Sequence, residues 1–281
     1  MRRGSRIAAV AAAAALVLSA CTGDDSDSAE DAETSPTGDA TEVEAGQGQG
    51  GEGAVLARVQ QAGEVRCGTR DDLPGFATLD PAGDHVGFDA DFCRAIAAAV
   101  LGDAEAVNFV DVATADRFTA LQSGEIDVLV RNTTWTATRD GAEGATFLTT
   151  TFYDGQGMMV AANSGITSLE QLAGRVVCVA GGTTTEGNVT TEFVRLGAAP
   201  PEVLSFDEVE LVQAAFQEGR CDGWSSDRSQ LTGLRSNYPG GADSLVILDA
   251  TFSKEPLAPA VSDGDSQWAQ IVDWAVLATI Q

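Results

Sequence analysis

The chain has 281 residues, 42 of them acidic and 16 basic, for a formal charge of −26. That balance argues against nucleic acid and against polybasic docking on anionic lipid, and the length admits two domains once non-globular ends are set aside. A single histidine, His85 beside Asp84 in a polar turn, and the lack of any CxxC spacing leave histidine triads, His-rich metal sites and zinc ribbons little to build on; no metal or other cofactor is expected.

Residues 1–21 read as a targeting segment. Arg2, Arg3 and Arg6 precede an apolar stretch over 7–18, and Leu18-Ser19-Ala20-Cys21 closes it with small residues at a cleavage site. The stretch is too short to span a membrane. A small residue directly before Cys21 resembles the bacterial lipobox, in which the cysteine is lipidated and becomes the mature N-terminus; an ordinary secretory signal is the alternative. Residues 22–53 hold ten acids and neither a basic nor an aromatic residue. Such a segment cannot bury enough apolar surface to offset its ordering entropy, so it reads as a disordered, self-repelling tether.

From residue 54 onward strand and helix patterns alternate, as in α/β folds. The pattern predicts a short helix over 54–62, a strand over 65–68, and a loop over 70–76 punctuated by Pro74-Gly75. A helix follows from about residue 88 to Gly102, with Asp89 expected as its N-cap. Residues 107–110 read as a strand, 117–122 as a helix and 126–130 as a strand. The chain is expected to cross into a second lobe near 153–160. There 168–172 reads as a short helix, 176–179 as a strand, 181–186 as a turn into a helix, and 203–206 as a strand. A helix over 211–217 and a strand over 221–225 follow. Residues 246–252 are expected to return the chain to the first lobe, where 268–280 reads as an amphipathic helix inside which the sequence stops, without a cap.

One unit occurs twice. Leu121-Gln122-Ser123-Gly124-Glu125-Ile126-Asp127-Val128-Leu129 reappears as Phe216-Gln217-Glu218-Gly219-Arg220-Cys221-Asp222-Gly223-Trp224. In both copies a helix stops at a glycine able to take the left-handed turn. A strand follows, then a polar cluster: Arg131-Asn132-Thr133-Thr134 in one copy, Ser225-Ser226-Asp227 in the other. Ligands of open α/β sheets bind at the carboxyl ends of strands, so two copies suggest two lobes offering strand ends to one cleft. Cys67, Cys93, Cys178 and Cys221 remain after Cys21. Of three possible connectivities, Cys67–Cys93 and Cys178–Cys221 keep each bridge within one lobe and leave a hinge free.

A free α-amino acid needs a cation or converging N–H groups for its carboxylate and an acid for its ammonium. Arg139 offers a planar fork for the first. The turn Gly181-Gly182-Thr183-Thr184-Thr185-Glu186 places N–H groups at a helix N-terminus, though it also reads as an ordinary capping box. Asp227 is the natural ammonium partner, or an Asp in a turn.

Together these residues resemble the amino-acid-binding proteins of bacterial ABC importers, the extracellular solute-binding family 3. The resemblance rests on Gly87-Phe88-Asp89-Ala90-Asp91-Phe92, Leu73-Pro74-Gly75-Phe76, Asp116-Arg117-Phe118-Thr119-Ala120-Leu121-Gln122-Ser123-Gly124, Arg131-Asn132-Thr133-Thr134-Trp135-Thr136, Tyr153-Asp154-Gly155-Gln156-Gly157 and Ser253-Lys254-Glu255-Pro256-Leu257. These are similar to the general L-amino-acid-binding subgroup. The resemblance implies a type II periplasmic-binding-protein-like fold with two hinge-connected lobes, 54–154 with 252–281 and 155–251. It implies Arg139 on the ligand carboxylate, Asp227 on the ammonium, and Asn132, Thr134, Thr183 and Thr184 as further contacts, with Phe76 in the loop that walls the side-chain pocket. Arg70 matches a position at which acidic-amino-acid binders read the side chain, or it pairs with Asp71 or Asp72. A monomeric lipoprotein working with permease subunits is implied. The subgroup continues well past Gln281, which suggests a truncated chain. An exported dehydratase acting on prephenate or arogenate, and a sensory lipoprotein, are the alternatives.

Overall fold

The structure, a computed structural model, describes residues 51–280; the expectations placed on residues 1–50, Cys21 among them, lie outside the described residues. Two five-stranded sheets organise this part of the chain. In the first the order is Val107–Asp111, Val65–Thr69, Val128–Leu129, Ala260–Ser262, Ala145–Phe147; in the second it is Glu202–Phe206, Val176–Ala180, Gly223–Asp227, Gln156–Ala161, Leu245–Ile247. In each sheet the first three strands run parallel and the last two join antiparallel. A two-stranded antiparallel ribbon, Phe152–Asp154 with Glu255–Leu257, carries both crossings between the lobes. The return to the first lobe therefore runs through Glu255–Leu257, whereas Val246 and Ile247, at the start of the span expected to make that return, still belong to the second sheet.

The repeated unit does the same structural work twice. Helices Arg117–Gln122 and Val209–Gln217 are followed by Gly124 and Gly219 at φ 71° and 72°, where a side chain would be strained. Just beyond, Asp127 accepts the Arg66 N–H at 2.8 Å and Asp222 accepts the Val176 N–H at 3.1 Å. Each carboxylate thereby fastens the start of the neighbouring parallel strand. Asp127 also pairs with the Arg66 and Arg58 guanidiniums, and Asp222 with Arg175.

Apolar strand faces pack under helices in both lobes. Val65, Cys67 and Val128 meet Phe92 and Ile96 of helix Phe88–Leu101 and Trp268 and Val272 of helix Ser266–Ile280. Met158, Val160, Val177 and Val179 meet Val189 and Phe193 of helix Thr184–Arg195. Disulfides join Cys67 to Cys93 and Cys178 to Cys221.

Three details depart from the sequence reading. Asp89 does not cap its helix: Gly87 precedes the first turn, and the Gly75 and Phe76 carbonyls accept the N–H groups of Phe88 and Asp89 at 3.0 and 2.8 Å. A Cβ on Gly87 would lie 2.5 Å from the Phe76 carbonyl, so the loop can approach only a glycine. Residues 52–53, assigned to the tether, are fastened to the start of helix Ser266–Ile280: Glu52 accepts from the Ser266 hydroxyl at 2.7 Å, and the Gly53 N–H donates to Asp265 at 3.0 Å. His85 is not a free turn residue; its ring stacks on Phe109 and pairs with Asp111 at 2.8 Å.

The expected loop over 70–76 is partly a hairpin, Asp72–Leu73 against Ala77–Leu79. It reaches across to helix Arg228–Ser236 of the second lobe, where Leu73 and Phe76 pack with Leu231 and Leu234. A Cβ on Gly233 would lie 2.5 Å from the Pro74 carbonyl, so the hairpin and that helix touch backbone to backbone. Among the described residues no helix is long and apolar enough to cross a membrane.

Candidate functional site

The carboxyl ends of the parallel strands and the helix N-termini beside them converge on one narrow cavity between the lobes. Arg70 follows strand Val65–Thr69, and Asn132 and Thr134 follow Val128–Leu129. Asp227 ends strand Gly223–Asp227, and Thr183 caps helix Thr184–Arg195. Arg139 lies on helix Ala137–Ala142, a Thr-rich stretch whose helix begins at Thr136; the Thr136 hydroxyl accepts the Arg139 N–H at 3.2 Å.

Four guanidiniums line this cavity, those of Arg70, Arg117, Arg131 and Arg139, each between 4% and 9% exposed. Arg139 donates to the Thr134 carbonyl at 2.9 Å and stands over the Phe118 ring, 5.8 Å from its centroid. Arg117 stands over the same ring at 5.2 Å, so one aromatic ring holds two cations. Burial lowers the pKa of Arg139, partly offset by Glu255 and Asp227. Arg131 is lowered to about 9 by burial and by Arg70. Arg117 is lowered well below its usual value, by burial and then by Arg139, Arg131 and Arg70.

Asp227 faces these cations without forming an ion pair with any of them. Burial first, then Asp154 and Glu255, push its pKa well above 3.8 against the pull of Arg139 and Arg70. Because the folded-state value is raised, the stability this group contributes is present at low pH and is lost as pH climbs from 3.8 through the folded value. An ammonium placed beside Asp227 reverses the shift. Binding of a ligand that carries an ammonium group, at mildly acidic pH, is therefore expected to release protons. Calorimetry in two buffers of different ionisation enthalpy measures this, and equal heats in both would show that Asp227 is already charged.

The other expected contacts are engaged differently from the sequence reading. The Asn132 N–H is taken by buried Asp89 at 2.7 Å, which holds Asn132 at φ 34°. Burial raises Asp89 to about 6 against that hydrogen bond and the nearby Arg70 and Arg131. The Asn132 side chain bonds Arg70 at 3.2 Å and, across the cleft, Gln230 at 3.4 Å. The Thr183 hydroxyl donates to the Ala180 carbonyl at 2.7 Å, and that of Thr184 to Glu255 at 2.9 Å. What helix Thr184–Arg195 has left for an anion is its first-turn N–H groups, which lack intrahelical partners. Buried Gln156 fixes this turn, its Nε2 donating to the Thr185 carbonyl at 3.0 Å. Phe76 does not line the cavity. Its carbonyl is fixed by the Asp89 N–H, and its ring packs edge-on against Phe88 and Phe152 at 5.8 and 5.5 Å. Arg70 lines the cavity, but Asp72 holds its Nε and Nη2.

Arg117, Arg131, Ser226 and Gln230 line the site without having been singled out for it. Arg131 and Ser226 were legible as members of the post-strand polar clusters. Arg117 was visible as the first residue of a helix and within the Asp116-to-Gly124 stretch, with no role in the site.

The sequence pattern of the bacterial extracellular solute-binding proteins, family 3, is matched by residues 65–281. This chain belongs to that family. This family-3 protein is 45% identical over 226 residues to the general L-amino acid-binding periplasmic protein AapJ of Rhizobium johnstonii, a match covering 80% of this chain and 66% of that protein. It is 42% identical to the putative amino-acid ABC transporter-binding protein YhdW of Escherichia coli K12, over 83% of this chain and 67% of that one. A solved structure, an ABC transporter/periplasmic binding protein from Brucella ovis with glutathione bound, superposes with TM-score 0.75 at 42% identity, over 78% of this family-3 chain and 68% of the other. The family-3 match thus spans about two thirds of the length of these relatives. Among its described residues no group of three or more His, Cys, Asp or Glu could hold a metal ion.

Proposed function

We propose that this protein captures L-amino acids outside the cytoplasm and hands them to the permease of an ABC importer. The observation that carries the reading is that buried Arg139 and buried Asp227, from different lobes, face one cavity without pairing. A zwitterion would supply both missing partners. The relatives named above as amino-acid-binding components support it. In this reading the lobes are 54–154 with 252–281 and 155–251, and Arg139 takes the α-carboxylate together with first-turn N–H groups at Thr184. Asp227 takes the ammonium, while Asn132, Thr134, Thr183 and Arg70 shape the cavity. Cleavage before Cys21 and its lipidation would tether a monomer to the membrane through the acidic segment 22–53.

A thermal-shift screen of the twenty amino acids, with glutathione added, tests this. A ligand at a hundred times its Kd stabilises by about 2.7 kcal/mol, a shift of about 5–10 °C for a chain of this size. No shift with any of them would refute the reading. A second reading, an exported dehydratase, draws on the raised pKa of Asp227, which also suits a general acid or base; turnover of prephenate or arogenate by the purified protein would favour it.

A further inference from the structure

The cavity carries more positive charge than an ordinary amino acid can answer. Of its four guanidiniums, Arg70 is held by Asp72, and Arg139 is the cation assigned to the α-carboxylate. Arg117 and Arg131 remain, 4% and 5% exposed, without an ion pair, and each with a buried Nε that has no hydrogen-bond partner. Arg117 bonds the Gly182 carbonyl at 3.3 Å and Arg131 the Thr114 hydroxyl at 3.1 Å, both neutral groups. Asp72, Glu208 and Asp89 act on Arg131 from longer range, and Asp227 does so on Arg117. Buried cations left in this condition are costly unless something pairs them.

A zwitterion with a neutral side chain brings one carboxylate and one ammonium. It answers Arg139 and Asp227 and leaves Arg117 and Arg131 as they were. A basic side chain would add a fifth cation. A ligand with a second carboxylate supplies what is missing, and planar bidentate pairing with guanidinium is the strong form of that contact. We infer that the cavity selects α-amino compounds bearing a second carboxylate, with Arg117 and Arg131 as the residues that bind it. This rests on the amino-acid reading above and moves the acid-reading role from Arg70, which Asp72 already neutralises, to Arg117 and Arg131.

The test is calorimetric titration of the purified full chain with L-glutamate, L-glutamine, L-lysine and γ-glutamylglycine. Glutamate is expected to bind at least thirtyfold tighter than glutamine, with lysine weakest. Arg117→Met and Arg131→Met are each expected to cut the glutamate-to-glutamine affinity ratio at least tenfold, whereas Arg139→Ala weakens both ligands alike. Melting of the ligand-free Met variants at or above the parent temperature separates loss of selectivity from loss of folding. γ-Glutamylglycine binding more tightly than glutamate makes a γ-glutamyl peptide the source of the second carboxylate; weaker binding makes it the free acidic amino acid. Glutamine binding as tightly as glutamate, or a ratio unchanged in both Met variants, overturns the inference and leaves the amino-acid reading standing. Binding of none of these compounds overturns both.

Discussion

Replacing Arg139 by alanine, or Asp227 by asparagine, is expected to weaken amino-acid binding about a hundred- to a few-thousandfold, the equivalent of about 3–5 kcal/mol for removing one partner of a buried ion pair. The two variants differ in what they do to the empty protein. Asp227 is buried among other carboxylates, and its pKa is raised; at neutral pH its ionisation opposes folding. Asp227→Asn is therefore expected to melt at or above the parent temperature while binding poorly. Arg139→Ala additionally loses the hydrogen bond to the Thr134 carbonyl and the contact with Phe118, so its melting temperature is expected to fall. Calorimetric affinities of both variants near the parent value would remove the site.

The second large effect is on stability. The Cys178–Cys221 bridge closes a loop with a sequence separation of 43, and Cys67–Cys93 one of 26. In the chain-entropy model these contribute about 4 and about 3.5 kcal/mol. Each bridge anchors a parallel strand of one sheet, Cys67 lying opposite Val128 and Cys178 opposite Trp224. Replacing both members of Cys178–Cys221 by alanine is expected to lower the melting temperature by about 8–16 °C. Because neither bridge joins the two sheets, ligand affinity at low temperature should stay near the parent value. A shift under about 2 °C would show that the constraint contributes little to the unfolded chain's entropy.

The α/β alternation and the two-lobed plan were legible because they rest on local signals: apolar periodicity, glycines at helix ends and one unit used twice. Helices Ala54–Ala62 and Arg117–Gln122 follow their patterns. Helices Ala137–Ala142 and Arg228–Ser236 were not read. The first has little apolar periodicity, and the second begins directly after the strand that ends at Asp227. Within the site, Arg139 and Asp227 could be argued from the chemistry of a zwitterion. The Arg70–Asp72 pair was one of the two readings open for Arg70; the engagement of the Thr184 hydroxyl and the turning away of Phe76 could not be read. Both depend on a partner brought in by tertiary packing, Glu255 and Phe152 of the ribbon. Arg117 escaped notice for the opposite reason: a basic residue opening an amphipathic helix ordinarily faces water, and only the convergence of two lobes buries it.

The hairpin at Leu73 sets the terms on which this clamp can let go. Leu73 is fully buried and Phe76 nearly so, and both sit against a helix of the opposite half. Parting the halves would wet them, at about 1.5–3 kcal/mol for a side chain such as Leu73. That resistance is oily rather than ionic. It is little affected by salt and slackens in the cold, so the empty receptor gapes more readily when chilled than when its surroundings turn fresh or brackish.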